Sequence, residues 1–225
     1  MEWATFYQER ANIWHLLLAR RNGLNKHLLW ILILFAFPLS VFAQYDERQF
    51  RVNENSSFYF PGGIYSDFET HWYSKHLKVM GEPSLRSESY ISTLQIYRFT
   101  WLRTFHHPVA VRLTIMKDGT GELVAKLTSG AGGYKPGELI ENRTTILTSY
   151  QVKSFLNHLD KSEFWDMTSK LPPKGEDGAQ WIIEGVKNRK YHLVDRWCPK
   201  PGEFREAAIT LLNLSGLKNI GVERY

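Results

Sequence analysis

Two short segments near the C-terminus, residues 177–185 and 191–199, carry the densest set of side chains that could do chemistry. Their alternation of apolar and polar residues predicts a β-hairpin in which Trp181 lies opposite Arg196. Five of its side chains are candidate ligand-binding groups because each is aromatic or charged: Trp181, Glu184, Asp195, Arg196 and Trp197. We expect one face of the hairpin to present the tryptophan–arginine pair and the other face to carry the two carboxylates.

Three interpretations fit this hairpin: two kinds of functional site and one purely structural role. An aromatic and charged surface can bind a ligand, with a glycan ring stacked on Trp181 or Trp197. A retaining glycosidase uses two carboxyl groups about 5 Å apart, which Glu184 and Asp195 could supply from one face. A purely structural interpretation places Arg196 over the ring of Trp181 and buries both tryptophans. Burial of Trp181, Arg196 and Trp197 together would rule out a binding surface here.

Other reactive residue types lack the spacing that their chemistry requires. Cys198 is the only cysteine, so the chain can form no internal disulfide. His192 would lie about 20 Å from it along an extended strand, too far for proton transfer, at roughly 3.3 Å per residue. His71 and His76 would point about 140° apart on a helix, so they cannot share a metal ion. We therefore assign no catalytic residue, no metal site and no cofactor.

A glycine-rich segment, residues 129–137 (SGAGGYKPG), raises the question of phosphate binding. A phosphate-binding loop needs its lysine followed by Ser or Thr and then by the start of a helix. Lys135 is instead followed by Pro136, Gly137 and a predicted strand. We therefore predict that this segment is a flexible connection.

The N-terminus has the pattern of an export signal. Three basic residues between positions 20 and 26 precede an uncharged apolar run from Leu28 to Ala43. The run is shorter than the roughly 20 residues of a membrane-spanning helix, and it ends in small residues that signal peptidase recognises. Residues 1–43 are therefore predicted to be a signal peptide, cleaved from a periplasmic or extracellular product. The alternative is an uncleaved single-pass anchor with the C-terminal domain outside.

Residues 1–23 extend the charged part of this signal beyond its common length. A compact signal begins instead at Leu24, so we hypothesise that translation starts there and that residues 1–23 are a mis-assigned start. A Leu24 codon that cannot initiate translation would rule this out.

The charge balance excludes a dedicated nucleic-acid binder. Removing residues 1–43 leaves 24 basic and 21 acidic side chains, a net charge of +3. A nucleic-acid-binding protein carries a basic stripe, so we expect no such partner. Hydrophobic residues make up 43% of the chain, which indicates a folded protein. We expect contact with the membrane only through the N-terminal segment.

The remaining chain predicts one domain. Residues 44–57 are polar and predict a flexible lead-in, whereas residues 58–225 carry regular patterns of helices and strands. Capping-box patterns start two helices at Ser66 and Thr148, and strand patterns lie between and after them. The fold class is therefore α+β, with an antiparallel sheet of about five to six strands and helices packed mainly on one face.

The turn at residues 117–121 sets the register of one predicted hairpin. A three-residue loop with a bulge would pair Ile115 with Leu123 and Leu113 with Ala125. We favour this register because it keeps the apolar residues together on one face.

The run DGAQWIIEGV…YHLVDRWCP, followed by a helix, resembles a pattern of exported bacterial proteins of modest size that share a domain of unknown function. The resemblance covers residues 177–216. It implies export and a bacterial source, and it brings no activity and no site residue. We therefore predict an exported, non-catalytic domain that binds a protein partner or an envelope glycan. The alternative is an envelope- or glycan-directed hydrolase that uses the hairpin carboxylates.

Overall fold

The computed structural model describes residues 59–172, 175 and 177–220. The predicted signal peptide, the alternative start at Leu24 and the predicted lead-in over residues 44–57 lie outside these residues. Within the described part of the chain, every helix is too short or too polar to cross a membrane.

Four helices and six strands lie within the residues that the structure describes. In chain order they are α1 (Asp67–Val79), α2 (Leu85–Ile91), β1 (Gln95–Arg103), β2 (Val109–Ile115), β3 (Gly121–Thr128), β4 (Leu139–Leu147), α3 (Ser149–Lys161), a 3₁₀ turn (Phe164–Asp166), β5 (Ala179–Lys187), β6 (Lys190–Trp197) and α4 (Glu203–Leu214). The strands form one open sheet in the order β4-β3-β2-β1-β5-β6, antiparallel throughout. The predicted α+β class and antiparallel sheet are confirmed.

The two predicted capping boxes start α1 and α3. The hydroxyl of Ser66 accepts the amide N–H of Glu69, and the Glu69 carboxylate accepts the N–H of Ser66 at 3.0 Å. Thr148 and Gln151 make the same reciprocal pair at the start of α3. Each box satisfies amide donors that the first turn of a helix leaves without partners, so the helix begins at a defined residue.

Helices cover both faces of the sheet, whereas the sequence predicts that they lie mainly on one face. The helices α3 and α4 bury the larger apolar core against one face, and Phe155, Leu211 and Trp101 belong to this core. On the opposite face, Leu77 of α1 and Ile182 of β5 belong to a second buried cluster. The unpredicted helix α2 also lies on this face. Its short, polar sequence gives little periodicity, because only Leu85 and Ser89 are buried.

The predicted register between β2 and β3 is wrong by two residues. Leu113 lies opposite Leu123, and Ile115 lies opposite Gly121. The loop has the expected three residues and closes with Gly119 at a φ of 83°. The side chain of Leu113 occupies the space beside Gly121 where a Cβ would otherwise lie, at 2.6 Å. A shift of two residues leaves every side chain on the same face, so the apolar pattern fits both registers, and the space beside Gly121 accommodates Leu113 in the observed one.

Candidate functional site

The predicted hairpin forms in the predicted register. Trp181 lies opposite Arg196, and Val186 lies opposite Tyr191. The strands turn through Asn188 and Arg189, whose φ angles of 52° and 62° are those of a two-residue hairpin turn. The hairpin therefore places its five candidate residues as expected along the strands, and their burial decides what each can do.

Trp181 is part of the core. Its side chain has no exposed surface, and its ring lies 5.3 Å from the rings of both Phe99 and Trp101. The guanidinium over this ring belongs to Arg205 of α4, at 5.4 Å, and not to Arg196. Trp181 therefore cannot stack on a ligand.

Glu184 is buried in an ion network on the α1 side of the sheet. Its carboxylate accepts the Nε–H of Arg98 at 2.8 Å and the hydroxyl of Tyr191 at 2.9 Å. Burial raises the pKa of Glu184, and the charge of Arg98 opposes that rise. Because every polar contact of this carboxylate is internal and its side chain is wholly buried, Glu184 is placed to hold the fold together.

Glu82 supplies the second carboxylate of this network, from the segment between α1 and α2. It meets three cations that project from neighbouring strands. Arg112 lies at 3.0 Å, Lys126 at 2.9 Å and Arg98 at 3.6 Å. The carboxylate is fully buried, and these cations together lower its pKa in spite of that burial. The network therefore fastens the α1–α2 connection to the centre of the sheet.

Asp195 is buried on the same side of the hairpin, with only 1% of its surface exposed. Neither carboxyl oxygen has a partner at hydrogen-bond geometry among the described residues. Burial raises the pKa of Asp195 to about 7, and the nearby Tyr65 hydroxyl and Lys170 ammonium only partly oppose that rise. Its amide donates to Ser169 O at 2.7 Å, so residues 168–170 run along the outer edge of β6. Asp195 and Glu184 therefore lie in the interior rather than across a sugar-sized cleft.

Arg196 is half-buried, and it contacts the same segment along the outer edge of β6. Its guanidinium donates to Thr168 O at 2.9 Å and to the carbonyl of Asp195 at 2.8 Å. These contacts fix residues 168–170 against β6. Trp197 is also half-buried, and it is the one hairpin candidate that lines a cavity.

That cavity is an open groove of about 580 Å³ beside the N-terminal half of α1. We call it the aromatic groove and define it by six of its lining side chains: Phe68, Glu69, Trp72, Tyr73, Gln180 and Trp197. The first four come from α1, and the last two come from the ends of the hairpin strands. The fold thus brings together residues more than a hundred positions apart.

One wall of the aromatic groove is an aromatic pair on α1. Phe68 is 69% exposed, and its ring stacks on Trp72 at 5.5 Å with 25° between the planes. Trp72 is fixed in turn because its indole N–H donates to Gly132 O at 3.0 Å. Phe68 is exposed, but its contact with the fixed Trp72 ring already restricts its side chain. Stacking of a ligand on Phe68 would therefore cost little conformational entropy.

Small residues make room for Trp197 on the other wall. A Cβ on Gly178 would lie 2.6 Å from the Trp197 ring, and a Cβ on Gly175 would lie 3.4 Å from its Nε1. A side chain at position 178 would therefore collide with the Trp197 ring and with the Cys198 sulfur, at 2.5 Å, so both approach the backbone closely because residue 178 is glycine.

The glycine-rich loop (residues 129–137) closes one end of the groove and is not the flexible connection that the sequence predicts. The amides of Gly132 and Gly133 donate to the carbonyls of His106 and Thr104, both at 3.1 Å. A Cβ on Gly132 would lie 2.6 Å from the backbone of Arg103. The loop therefore packs backbone against backbone after β1, which only glycine allows.

The groove carries one carboxylate among its described lining residues, that of Glu69. Hydrogen bonds from Lys170 and Ser66 lower its pKa, although partial burial opposes them. Gln180 and Thr104 add neutral hydrogen-bonding groups to the lining. Such a lining suits a ligand with both ring faces and hydroxyl groups.

Phe68, Glu69, Trp72 and Gln180 are absent from the sequence-based set of candidates. The helical pattern of α1 places Phe68 and Trp72 on its apolar side, where the structure exposes Phe68. Their i, i+4 spacing indicates that the two rings meet, but only the neighbouring loop and hairpin decide whether they meet solvent.

No protein-family model matches this chain, and no curated protein matches its sequence significantly. Among the described residues, no group of three or more His, Cys, Asp or Glu side chains is placed to hold a metal ion.

Proposed function

We propose that this protein is an exported, non-catalytic binding domain whose aromatic groove holds a glycan. The observation that carries the proposal is the groove itself, where Phe68, Trp72 and Trp197 line an open volume with neutral polar groups between them. Sugar rings present apolar C–H faces and hydroxyl groups, and aromatic side chains with amide or hydroxyl neighbours match both. The predicted export signal supports a ligand of the envelope or of the surroundings of the cell.

The burial of the hairpin carboxylates argues for binding rather than hydrolysis. Most glycosidases place two carboxyl groups across the scissile bond. Glu184 is occupied by Arg98 and Tyr191, and Asp195 has 1% of its surface exposed. Among the described lining residues, Glu69 alone could serve as a carboxylate in the groove, and it is paired with Lys170. We therefore expect incubation with oligosaccharides to release no new reducing ends.

The test is a calorimetric titration of the purified protein with neutral oligosaccharides, together with the Phe68→Ala variant. Losing one stacked ring weakens binding by about 0.5–1.5 kcal/mol, so we expect an affinity about 2- to 12-fold lower. Tyr150→Ala is the matched control, since Tyr150 is an 81% exposed aromatic residue on α3 outside the groove. Equal affinity for the Phe68→Ala variant and the unchanged protein would contradict the proposal.

A further inference from the structure

A second cavity lies on the other side of the glycine-rich loop. Its volume is about 730 Å³, and its lining includes Arg103, Phe105, Tyr134 and Lys135, together with His106 and His107. We call this cavity the basic cleft, because the charged side chains of its described lining are cationic. The glycine-rich loop forms a shared wall, since Gly132 and Gly133 line the aromatic groove while Ala131 and Tyr134 line the cleft.

Two lysines lie near each other beside the cavities, Lys75 over a side chain of the groove and Lys135 in the lining of the cleft. Lys75 of α1 lies over the Trp72 ring at 3.1 Å, and Lys135 is exposed on the loop. Burial and then the like charge of Lys135 lower the pKa of Lys75, so the two ammonium groups repel each other. Within the described part of the chain, neither lysine has an acidic partner. Cations held near each other without a counter-charge favour an anionic ligand.

The basic cleft also offers ring surfaces. Phe105 and Tyr134 are each 58% exposed, and their ring centres lie 6.2 Å apart. Arg103 also lines the cleft, and it is held in place because its guanidinium lies 3.9 Å from the Trp101 ring and donates to the carbonyl of Ile220. The cleft thus combines the same two features as the groove, exposed rings and polar groups, with the opposite charge.

We infer that the ligand is an acidic polysaccharide whose sugar rings lie in the aromatic groove and whose carboxylates are bound by Lys75, Lys135 and the basic cleft. This inference rests on the proposed glycan function and adds the charge of the ligand to it. A chain of sugars can follow both sides of the glycine-rich loop, so one polymer can use both surfaces. Because both lysines retain solvent access, their contribution falls as ionic strength rises.

The experiment compares two probes that differ only in charge: oligogalacturonides and the same oligomers after reduction of their carboxylates to alcohols. We expect the acidic oligomer to bind about tenfold more tightly at low salt, and the difference to shrink in physiological salt. The double variant Lys75→Gln/Lys135→Gln should lose this preference, measured as the ratio of its affinities for the two oligomers. Lys153→Gln, an exposed lysine on α3, is the control and should change neither affinity.

The outcomes separate the two proposals. Equal affinity for both oligomers would overturn the acidic ligand and leave the glycan function standing, whereas binding of neither oligomer would overturn both. A preference for acid that survives in the double variant would remove Lys75 and Lys135 from the site. A preference that falls equally in Lys153→Gln would mean general charge attraction. Equal binding of a single-stranded DNA of the same charge would also overturn the inference.

Discussion

Buried ionisable side chains connect single residues to the stability of this domain. Asp195 has a pKa of about 7 in the folded protein, against an ordinary value of 3.8. At a pH between these two pKa values, Asp195 is ionised in the unfolded chain and protonated in the folded protein. Folding stability therefore falls as pH rises from about 4 to about 7, and the full cost of the buried charge applies above that range.

Asp195→Asn should remove this dependence. Relative to the unchanged protein, the variant should gain stability as pH rises from 5 to 8. The gain over the full interval between the two pKa values of Asp195 is limited to about 4 kcal/mol, at 1.36 kcal/mol per pKa unit. Urea denaturation at the two pH values measures the difference, and the comparison cancels any pH-independent cost of the amide. An identical stability change at both pH values would show that the carboxyl is ionised in the folded protein throughout.

His76 makes the opposite contribution. It is fully buried beside Trp72, and burial together with the charge of Lys75 lowers its pKa from 6.5 to about 4. In this pH range His76 is protonated in the unfolded chain and neutral in the folded protein, so folding stability falls as pH falls from about 6.5 to about 4.

His76→Gln should therefore lose less stability in acid than the unchanged protein does. The relative gain between pH 7 and pH 4 should approach 3 kcal/mol at roughly 1.36 kcal/mol per pKa unit. Thermal or urea unfolding across this range measures it. Parallel pH profiles for the two proteins would place the folded-state pKa of His76 near its ordinary value and contradict its burial as the cause.

At the scale of elements, the glycine-rich loop decides the shape of both cavities. Its amides bond to the segment after β1, and its glycines leave no room for a Cβ. The loop therefore acts as a rigid wall between the aromatic groove and the basic cleft. Its rigidity is a property of close backbone packing rather than of regular secondary structure.

Gly132→Ala should test this wall directly. The new Cβ would meet the backbone N and O of Arg103 at 2.6 Å, and backbone atoms cannot rotate away as a side chain can. We expect a loss of about 1–3 kcal/mol in the free energy of unfolding. Gly62→Ala is the matched control, since a Cβ there meets nothing within 4 Å. Similar stabilities for the two variants would mean that the loop is as loose as the sequence suggests.

Local signals in the sequence predict the elements well. The capping boxes at Ser66 and Thr148 and the register of the β5–β6 hairpin follow from residues within a few positions of each other. The exposure of Phe68, the burial of Trp181 and the closure of the groove depend on contacts across the whole sheet. Glycine patterns are ambiguous in the same way, because a flexible linker and a tightly packed loop both need small residues.

At the scale of the whole molecule, the opposing titrations of Asp195 and His76 act in an overlapping pH range. Stability falls with rising pH through Asp195 and rises with it through His76 between about pH 4 and pH 6.5. Their slopes cancel to first order in this window. Both side chains lie on the α1 side of the sheet, the side that also carries the aromatic groove.

The two faces of the sheet carry different features: the main apolar core lies on one, and the ion network and the aromatic groove lie on the other. The face covered by α3 and α4 holds the main apolar core. The opposite face holds the ion network, α1 and the aromatic groove. The proposed ligand contacts lie where α1, the glycine-rich loop and the end of β6 meet, and they leave out Trp101 and Trp181 of the core.

The most direct test uses the indole N–H signals of the purified protein in a proton–nitrogen NMR titration with acidic and neutral oligosaccharides. Trp72 and Trp197 line the aromatic groove, whereas Trp101 and Trp181 have no exposed surface. Single Trp→Phe variants assign the signals. Binding in the groove should shift the signals of Trp72 and Trp197 and leave those of Trp101 and Trp181 in place. Unchanged signals from Trp72 and Trp197 at saturating ligand would contradict the aromatic groove as the binding site.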